Sequence, residues 1–122
     1  MLVVDDDRDV RAAVRRHLEQ DGYAVCEAET GDGALAWIAA HGLPGAVILD
    51  LQMPGRTGEE TLLAIRARCR QTVVVIASGA LDGPRRAALL AQGASACLDK
   101  PEIGERLVPL LERLLGAGVT AQ

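Results

Sequence analysis

The fold is decided by the stretch Val73-Val74-Val75-Ile76-Ala77, an aliphatic run that is followed by Ser78 and Gly79. A run without polar residues at alternate positions is typical of a strand that is buried on both faces, as the central strands of a parallel sheet are. Similar short apolar segments recur along the chain, and the predicted strands cover residues 2–4, 24–28, 46–49, 72–77 and 95–98. We therefore predict a sheet of five parallel strands.

Helical patterns separate these strands. The first helix is marked by Val10, Val14 and Leu18 on one face, and Gly22 is suited to its C-terminal cap. The other helices are predicted over residues 32–41, over 59–68, from Pro84 onward, and over 103–115, where Pro109 should kink the helix. Regular alternation of strands and helices indicates an α/β fold with five helices around a parallel sheet.

Length and charge limit the classes of protein that fit. The chain has 122 residues, which is enough for one domain, and we assign residues 1–116 to that domain and 117–122 to a flexible C-terminal tail. A net charge of −4 argues against direct nucleic-acid binding by this domain. No segment resembles a signal peptide or a bilayer span of about 20 apolar residues, so we expect a cytoplasmic domain without a membrane partner.

The cysteines do not indicate a stabilising cross-link. Cys26, Cys69 and Cys97 are odd in number and lack Cys-x-x-Cys spacing, so neither a disulfide framework nor a zinc site is predicted. We expect all three to be reduced, buried side chains that act as small hydrophobic groups.

Polar residues follow four of the five predicted strands. Because the carboxyl ends of parallel strands share one edge of a sheet, these residues should gather there. Neighbouring Asp5 and Asp6 would repel Asp50 across the sheet unless a cation lay between them. A ligand set made only of oxygen atoms favours Mg²⁺ over Zn²⁺. The gathered residues are Asp5, Asp6, Asp7, Asp50, Ser78 and Lys100.

Each of these residues also has a purely structural interpretation. Acidic residues before a helix cap its free amides, which accounts well for Asp7 and Asp9. Ser78 could be a turn hydroxyl. Lys100 could be an ordinary surface lysine, although it is the single Lys in a chain whose other twelve basic residues are Arg. Spacing alone leaves these alternatives open.

Several segments occur in a characteristic order. They are Leu2-Val3-Val4-Asp5-Asp6, Val47-Ile48-Leu49-Asp50-Leu51-Gln52-Met53-Pro54, Gly58, Ala77-Ser78, Gln92-Gly93-Ala94 and Leu98-Asp99-Lys100-Pro101. In this order they resemble the receiver domain of two-component response regulators, over nearly the whole chain. The resemblance implies a flavodoxin-like three-layer sandwich with strand order 2-1-3-4-5, which agrees with right-handed crossovers.

The same resemblance implies a function, with Asp50 as the phosphoacceptor. The donor would be a phosphohistidine on a histidine kinase or a histidine phosphotransfer domain. Catalysis would be limited to the domain's own phosphorylation and dephosphorylation, so the domain would not be classed as an enzyme. The resemblance also implies a homodimer through the fourth helix, fifth strand and fifth helix. The other implied roles are binding of Mg²⁺ by Asp5, Asp6, Asp50 and the backbone carbonyl of Gln52, and contacts to phosphoryl oxygens by Ser78 and Lys100.

One position departs from the family pattern. The family usually carries Tyr or Phe three residues before the lysine as a rotamer switch, and this chain has Cys97 there. The main alternative is therefore a degenerate receiver-like interaction module that is not phosphorylated. An aspartyl-phosphate phosphatase usually has a second Asp two residues after its nucleophile, where Gln52 stands here. A nucleotide or flavin carrier would need glycines or hydroxyls after the first strand, where this chain has acids.

Overall fold

The computed structural model describes residues 1–119 except Pro54 and Ala80, with side chains described up to residue 116. Over those residues, five parallel strands alternate with five α-helices. The strands are β1 (Leu2–Val4), β2 (Cys26–Ala28), β3 (Ala46–Asp50), β4 (Val73–Ser78) and β5 (Ala96–Asp99). The helices are α1 (Arg8–Gln20), α2 (Gly31–His41), α3 (Gly58–Arg68), α4 (Gly83–Ala91) and α5 (Ile103–Val119), and a 3₁₀ turn (Lys100–Glu102) precedes α5.

The sheet has the order β2-β1-β3-β4-β5, which confirms the predicted topology. Two separate hydrophobic clusters cover its faces, as a three-layer sandwich requires. One cluster includes Ile38, Leu62 and Leu89, from α2, α3 and α4, while the other includes Leu18 and Leu107, from α1 and α5. The quoted stretch in β4 is buried from its second residue onward. The expectation of a strand with both faces covered is therefore confirmed.

Most predicted element boundaries lie within one residue of the observed ones, and the two exceptions have physical causes. Strand β2 begins at Cys26 rather than at residue 24, because it pairs only with β1 and that pairing starts at Leu2. Helix α5 continues past the predicted end at residue 115 to Val119 and remains helical through Pro109. Gly116 disfavours a helix by only about 1 kcal/mol and does not end this one. Part of the predicted flexible tail is therefore helical, and residues 120–122 lie outside the described part of the chain.

Side-chain caps start the four helices that follow β1 to β4. The Asp7 carboxylate accepts the backbone N–H groups of Asp9 and Val10 at the start of α1, as predicted. Thr57 and Glu60 form a reciprocal capping box at the start of α3. Such caps satisfy amides that have no partner within the helix. The caps of the four helices are Asp7, Thr30, Thr57 and Asp82.

The prediction for the cysteines holds only in part. Cys97 is buried, whereas Cys69 is partly exposed and Cys26 is exposed. Cys26 is exposed because it lies on β2, the strand at the edge of the sheet. The three thiols are free, as predicted. Among the described residues, no helix combines the length and apolar character that crossing a membrane would require.

At the edge of the sheet where the strands begin, Arg66 joins α3 to β4 and to the loop before β5. Its guanidinium donates to the carbonyl oxygens of Gly93 and Thr72, each at 2.6 Å, and more weakly to the carbonyl of Cys69 and the Oγ of Ser95. Burial lowers the pKa of Arg66. One planar cation therefore satisfies four oxygen acceptors that belong to different segments.

We predict that Arg66→Ala lowers the free energy of unfolding by about 2–3 kcal/mol, because it leaves partly buried carbonyl groups without donors. Chemical denaturation of the purified domain measures this change. Arg68→Ala is the matched control, since Arg68 lies on the same helix and is exposed. It should change stability by no more than about 0.5 kcal/mol. Equal effects of the two substitutions would contradict the role assigned to Arg66.

Candidate functional site

Three carboxylates gather at the edge of the sheet where β1 and β3 end. Asp5 directly follows β1 and Asp50 is the last residue of β3, and these two strands are neighbours in register. Oxygen atoms of Asp5, Asp6 and Asp50 all lie within 4.8 Å of one another. Asp5 and Asp50 are only 3% and 4% exposed, while Asp6 is exposed. The structure therefore brings together the carboxylates that the sequence predicted.

The backbone around Asp5 is held by hydrogen bonds from α1. The Asp5 carboxylate accepts the N–H of Asp7 at 2.8 Å, and the Asp5 carbonyl accepts Nη1 of Arg11 at 2.6 Å. Arg11 is buried and its Nε donates to Glu27 on β2 at 3.1 Å. Sequence reasoning missed Arg11. The available signal was its place one position after Val10 on the buried side of α1, where an Arg needs partners.

Lys100 contacts both buried carboxylates. Its Nζ lies 3.1 Å from Oδ2 of Asp5 and 3.3 Å from Oδ1 of Asp50. The Lys100 side chain is 26% exposed, so it is only partly accessible to water. These contacts do not fit the alternative interpretation of Lys100 as an ordinary surface lysine.

These contacts shift the pKa values of both partners. Burial raises the pKa of Asp50, the charge of Asp5 raises it further, and Lys100 and a hydrogen bond from the Gln52 backbone only partly oppose the rise. Burial lowers the pKa of Lys100, but hydrogen bonds and attraction from Asp5 and Asp50 outweigh burial and raise it overall. The ammonium is thus firmly charged, and the Asp50 carboxylate is held where its charge is incompletely compensated.

Gly58 fixes the position of the loop that follows Asp50. Its N–H donates to the carbonyl of Leu51 at 3.0 Å. A Cβ at this position would collide with the carbonyl oxygen of Asp50 and would lie 2.6 Å from the Cα of Leu51. The start of α3 can approach the end of β3 this closely only because position 58 has no side chain.

Ser78 and Gln52 lie beside the carboxylates. Ser78 is the buried last residue of β4, the strand next to β3, and its β5 register partner is Asp99, the residue before Lys100. Ser78 and Gln52 line a common cavity of about 150 Å³, which Leu51, Leu81, Asp82 and Arg85 complete. The strand ends therefore place a hydroxyl and an ammonium on the same side as Asp50.

The donor set suits a hard divalent cation. Three carboxylates, two of them buried, and one ammonium leave a formal charge of −2 at this edge of the sheet. The cluster offers only carboxylate oxygens, which Mg²⁺ prefers, whereas zinc sites are built chiefly from sulfur and nitrogen. Asp5, Asp6 and Asp50 could hold such an ion.

We predict that Lys100→Met destabilises the metal-free protein by about 2 kcal/mol, because two buried carboxylates lose their counter-charge. The cost stays below the roughly 3–5 kcal/mol typical of a fully buried pair, since the ammonium is partly exposed. Denaturant unfolding in a chelator measures it. Arg106→Met is the control, because it removes an exposed ion pair with Glu102 that should contribute less than about 1 kcal/mol. A Lys100 variant as stable as the control would refute this assignment.

Comparisons with known proteins agree with this geometry. A family model described as "Response regulator receiver domain" matches residues 1–112. The chain is 37% identical over 128 residues to "Response regulator MprA" of Mycolicibacterium vanbaalenii, which covers 99% of this chain and 55% of that protein. The chain therefore spans about half the length of the curated relatives it matches.

Solved structures show the same fold. The receiver domain of NtrX from Brucella abortus superposes with a TM-score of 0.87 at 32% identity, over 94% of this chain and 97% of that one. Chemotaxis protein CheY4 of Vibrio cholerae gives a TM-score of 0.85 at 30% identity, over 93% and 95% of the two chains. The matched segment contains β1 to β5 and the carboxylates at their ends. The chain belongs to the response regulator receiver domain family.

Proposed function

We propose that this domain accepts a phosphoryl group on Asp50 in a two-component phosphorelay, with Mg²⁺ bound beside it. The observation that carries the proposal is the placement of the Asp50 carboxylate, at the end of a buried strand and within 3.3 Å of the Lys100 ammonium. A second buried carboxylate, Asp5, adjoins the same ammonium. A buried carboxylate whose negative charge is only partly compensated is suited to act as a nucleophile toward the phosphorus of a phosphoryl group.

In the proposed reaction, an Asp50 oxygen attacks the phosphorus of a phosphohistidine. An O–P bond forms while the P–N bond breaks, and the imidazole leaves with the electron pair of that bond. The product is an acyl phosphate on Asp50, which water later hydrolyses at the same site. The protein's contribution is positioning and charge stabilisation, as in other phosphoryl transfers. The domain catalyses only its own modification and is not an enzyme acting on other substrates.

Lys100 and Ser78 contact the phosphoryl oxygens in this proposal. Lys100 is already drawn toward Asp50, so its ammonium can follow the negative charge from the carboxylate to the new phosphoryl group. Ser78 ends the strand next to Asp50 and can donate its hydroxyl proton to another oxygen. In this proposal, both Lys100 and Ser78 therefore stabilise the phosphoryl group.

The proposed metal ligands are the carboxylates of Asp5, Asp6 and Asp50 and the backbone carbonyl of Gln52. Asp5 acts through a water molecule, because its carboxylate is already engaged with Lys100 and with the N–H of Asp7. Mg²⁺ held by these groups would reduce the repulsion between the Asp50 carboxylate and the incoming phosphoryl group. The formal charge of −2 left by the protein groups supports a divalent ion.

The proposed partner is a sensor histidine kinase or a histidine phosphotransfer domain in the cytoplasm. A homodimer through α4, β5 and α5 is part of the same proposal, and direct nucleic-acid binding is not. A degenerate, non-phosphorylated module fits less well, since Asp5, Asp6, Asp50 and Lys100 lie close together in the described site. The phosphatase alternative has no support from the residue at position 52, which is Gln.

We predict that a small acyl phosphate labels the wild type in the presence of Mg²⁺, and that Asp50→Asn reduces labelling to background. The label should be released by hydroxylamine, as acyl phosphates are. Asp32→Asn serves as the control, because Asp32 is an exposed residue on α2 outside the cluster, and it should be labelled like the wild type. Undiminished labelling of Asp50→Asn would exclude Asp50 as the acceptor.

A second prediction concerns the metal. Asp6→Ala should weaken Mg²⁺ binding by at least about tenfold, by loss of a ligand, as measured by titration calorimetry. Asp6 is exposed, so stability without metal should change by no more than about 0.5 kcal/mol. Asp9→Ala, which removes a nearby acidic residue of the first turn of α1, should bind Mg²⁺ like the wild type. Equal affinities of Asp6→Ala and the wild type would refute the ligand assignment.

A further inference from the structure

Asp99 lies between the two segments that flank the proposed phosphoryl group. Its Oδ1 accepts the N–H of Leu81 at 3.1 Å, and Leu81 lies three residues after Ser78. In the other direction Asp99 is joined directly to Lys100, whose ammonium contacts Asp5 and Asp50. One carboxylate oxygen therefore connects the segment after Ser78 with the segment that carries Lys100.

Arg86 connects this carboxylate to α4. Its Nη2 donates to the same Oδ1 of Asp99 at 3.3 Å, and its Nη1 donates to the carbonyl of Cys97 at 2.6 Å. Both side chains of the ion pair are about one third exposed, so the pair is neither locked in the core nor fully solvated. The planar guanidinium therefore binds two residues of β5, Cys97 and Asp99, and a shift of Asp99 would alter the hydrogen bonds of Arg86.

The connection also reaches the segment before α5. The N–H of Asp99 donates to Oε1 of Glu102 at 3.1 Å, and Oε2 of Glu102 accepts Nη1 of Arg106 at 2.6 Å. Asp99 is thus tied through its side chain to α4 and through its backbone to the 3₁₀ turn. Among the described residues, these contacts form a continuous polar chain from Leu81 to α5.

We propose that Asp99 and Arg86 are positioning residues that transmit phosphorylation of Asp50 to α4. The inference rests on the proposed function. A phosphoryl group adds nearly two negative charges and several acceptor oxygens, and so attracts both Lys100 and the Ser78 hydroxyl. Movement of the segment after Ser78 displaces Leu81, and movement of Lys100 displaces Asp99 itself. Either movement changes the contact between Asp99 and Arg86, which lies on α4.

This route does not need an aromatic side chain at position 97. Arg86 binds the backbone carbonyl of Cys97, not its side chain, so the contact is independent of the residue type there. The buried Cys97 thiol is small and has no ring that could change position. The polar chain accordingly provides a coupling path that remains available in a receiver domain with Cys97 at that position.

The test is an amide NMR spectrum of the full chain with Mg²⁺, before and after addition of beryllium fluoride as a phosphoryl analogue. In the wild type, we expect shift changes at Gln52 and Ser78 and also along α4. Arg86→Met should keep the changes at Gln52 and Ser78 and lose those along α4. Arg68→Met is the matched control, because Arg68 is an exposed Arg of α3 that lies outside this polar chain; it should respond like the wild type.

Asp99→Ala provides an independent variant, since it removes the shared acceptor, and it should lose the α4 response in the same way. If one variant fails to fold, the other still decides the question. A wild-type α4 response in either folded variant would overturn the inference. A wild type that changes at Gln52 and Ser78 but not along α4 would overturn it while leaving the proposed function standing. A wild type with no change at Gln52 or Ser78 would contradict the proposed function itself.

Discussion

The structure depends on keeping two carboxylates, Asp5 and Asp50, buried side by side at the end of a parallel sheet. Their proximity follows from the pairing of β1 with β3, and both are almost completely shielded from water. Such an arrangement is unfavourable without compensation, as the raised pKa of Asp50 shows. Lys100, which follows β5, compensates part of this charge. The remaining negative charge supports the proposed binding of a cation and, with it, of a phosphoryl group.

The use of Arg and Lys in this chain follows from their different geometries. Arg11 and Arg66 each donate to acceptors on more than one segment, and Arg86 donates to two acceptors on β5, which a planar, forked cation does well. Lys100 instead places one compact charge between two carboxylates. In the proposed function, its flexible stem lets that charge move from a carboxylate to a phosphoryl group. The single Lys of the sequence would then supply the mobile point charge of the site.

Much of the fold could be predicted from sequence because the apolar runs, helix caps and strand order are local or topological signals. The carboxylates and Lys100 could be predicted because parallel strands end at one edge. The connecting residues Arg11 and Arg86 could not, since their partners lie on other segments, and many of those partners are backbone carbonyls that every residue carries. The predicted end of α5 was wrong because Gly116 only weakly disfavours a helix. Cys26 is exposed because it lies on the edge strand β2, which the prediction from cysteine spacing did not take into account.

The central claim is that Asp50, among three adjacent carboxylates, is the one that becomes phosphorylated. The most direct measurement is borohydride reduction of the labelled wild-type protein followed by peptide mass mapping, because borohydride converts an aspartyl phosphate to homoserine. We expect homoserine at position 50 when Mg²⁺ is present during labelling, and unmodified Asp50 when a chelator replaces it. Homoserine at position 5 or 6, or equal conversion of Asp50 in the chelator, would contradict the account.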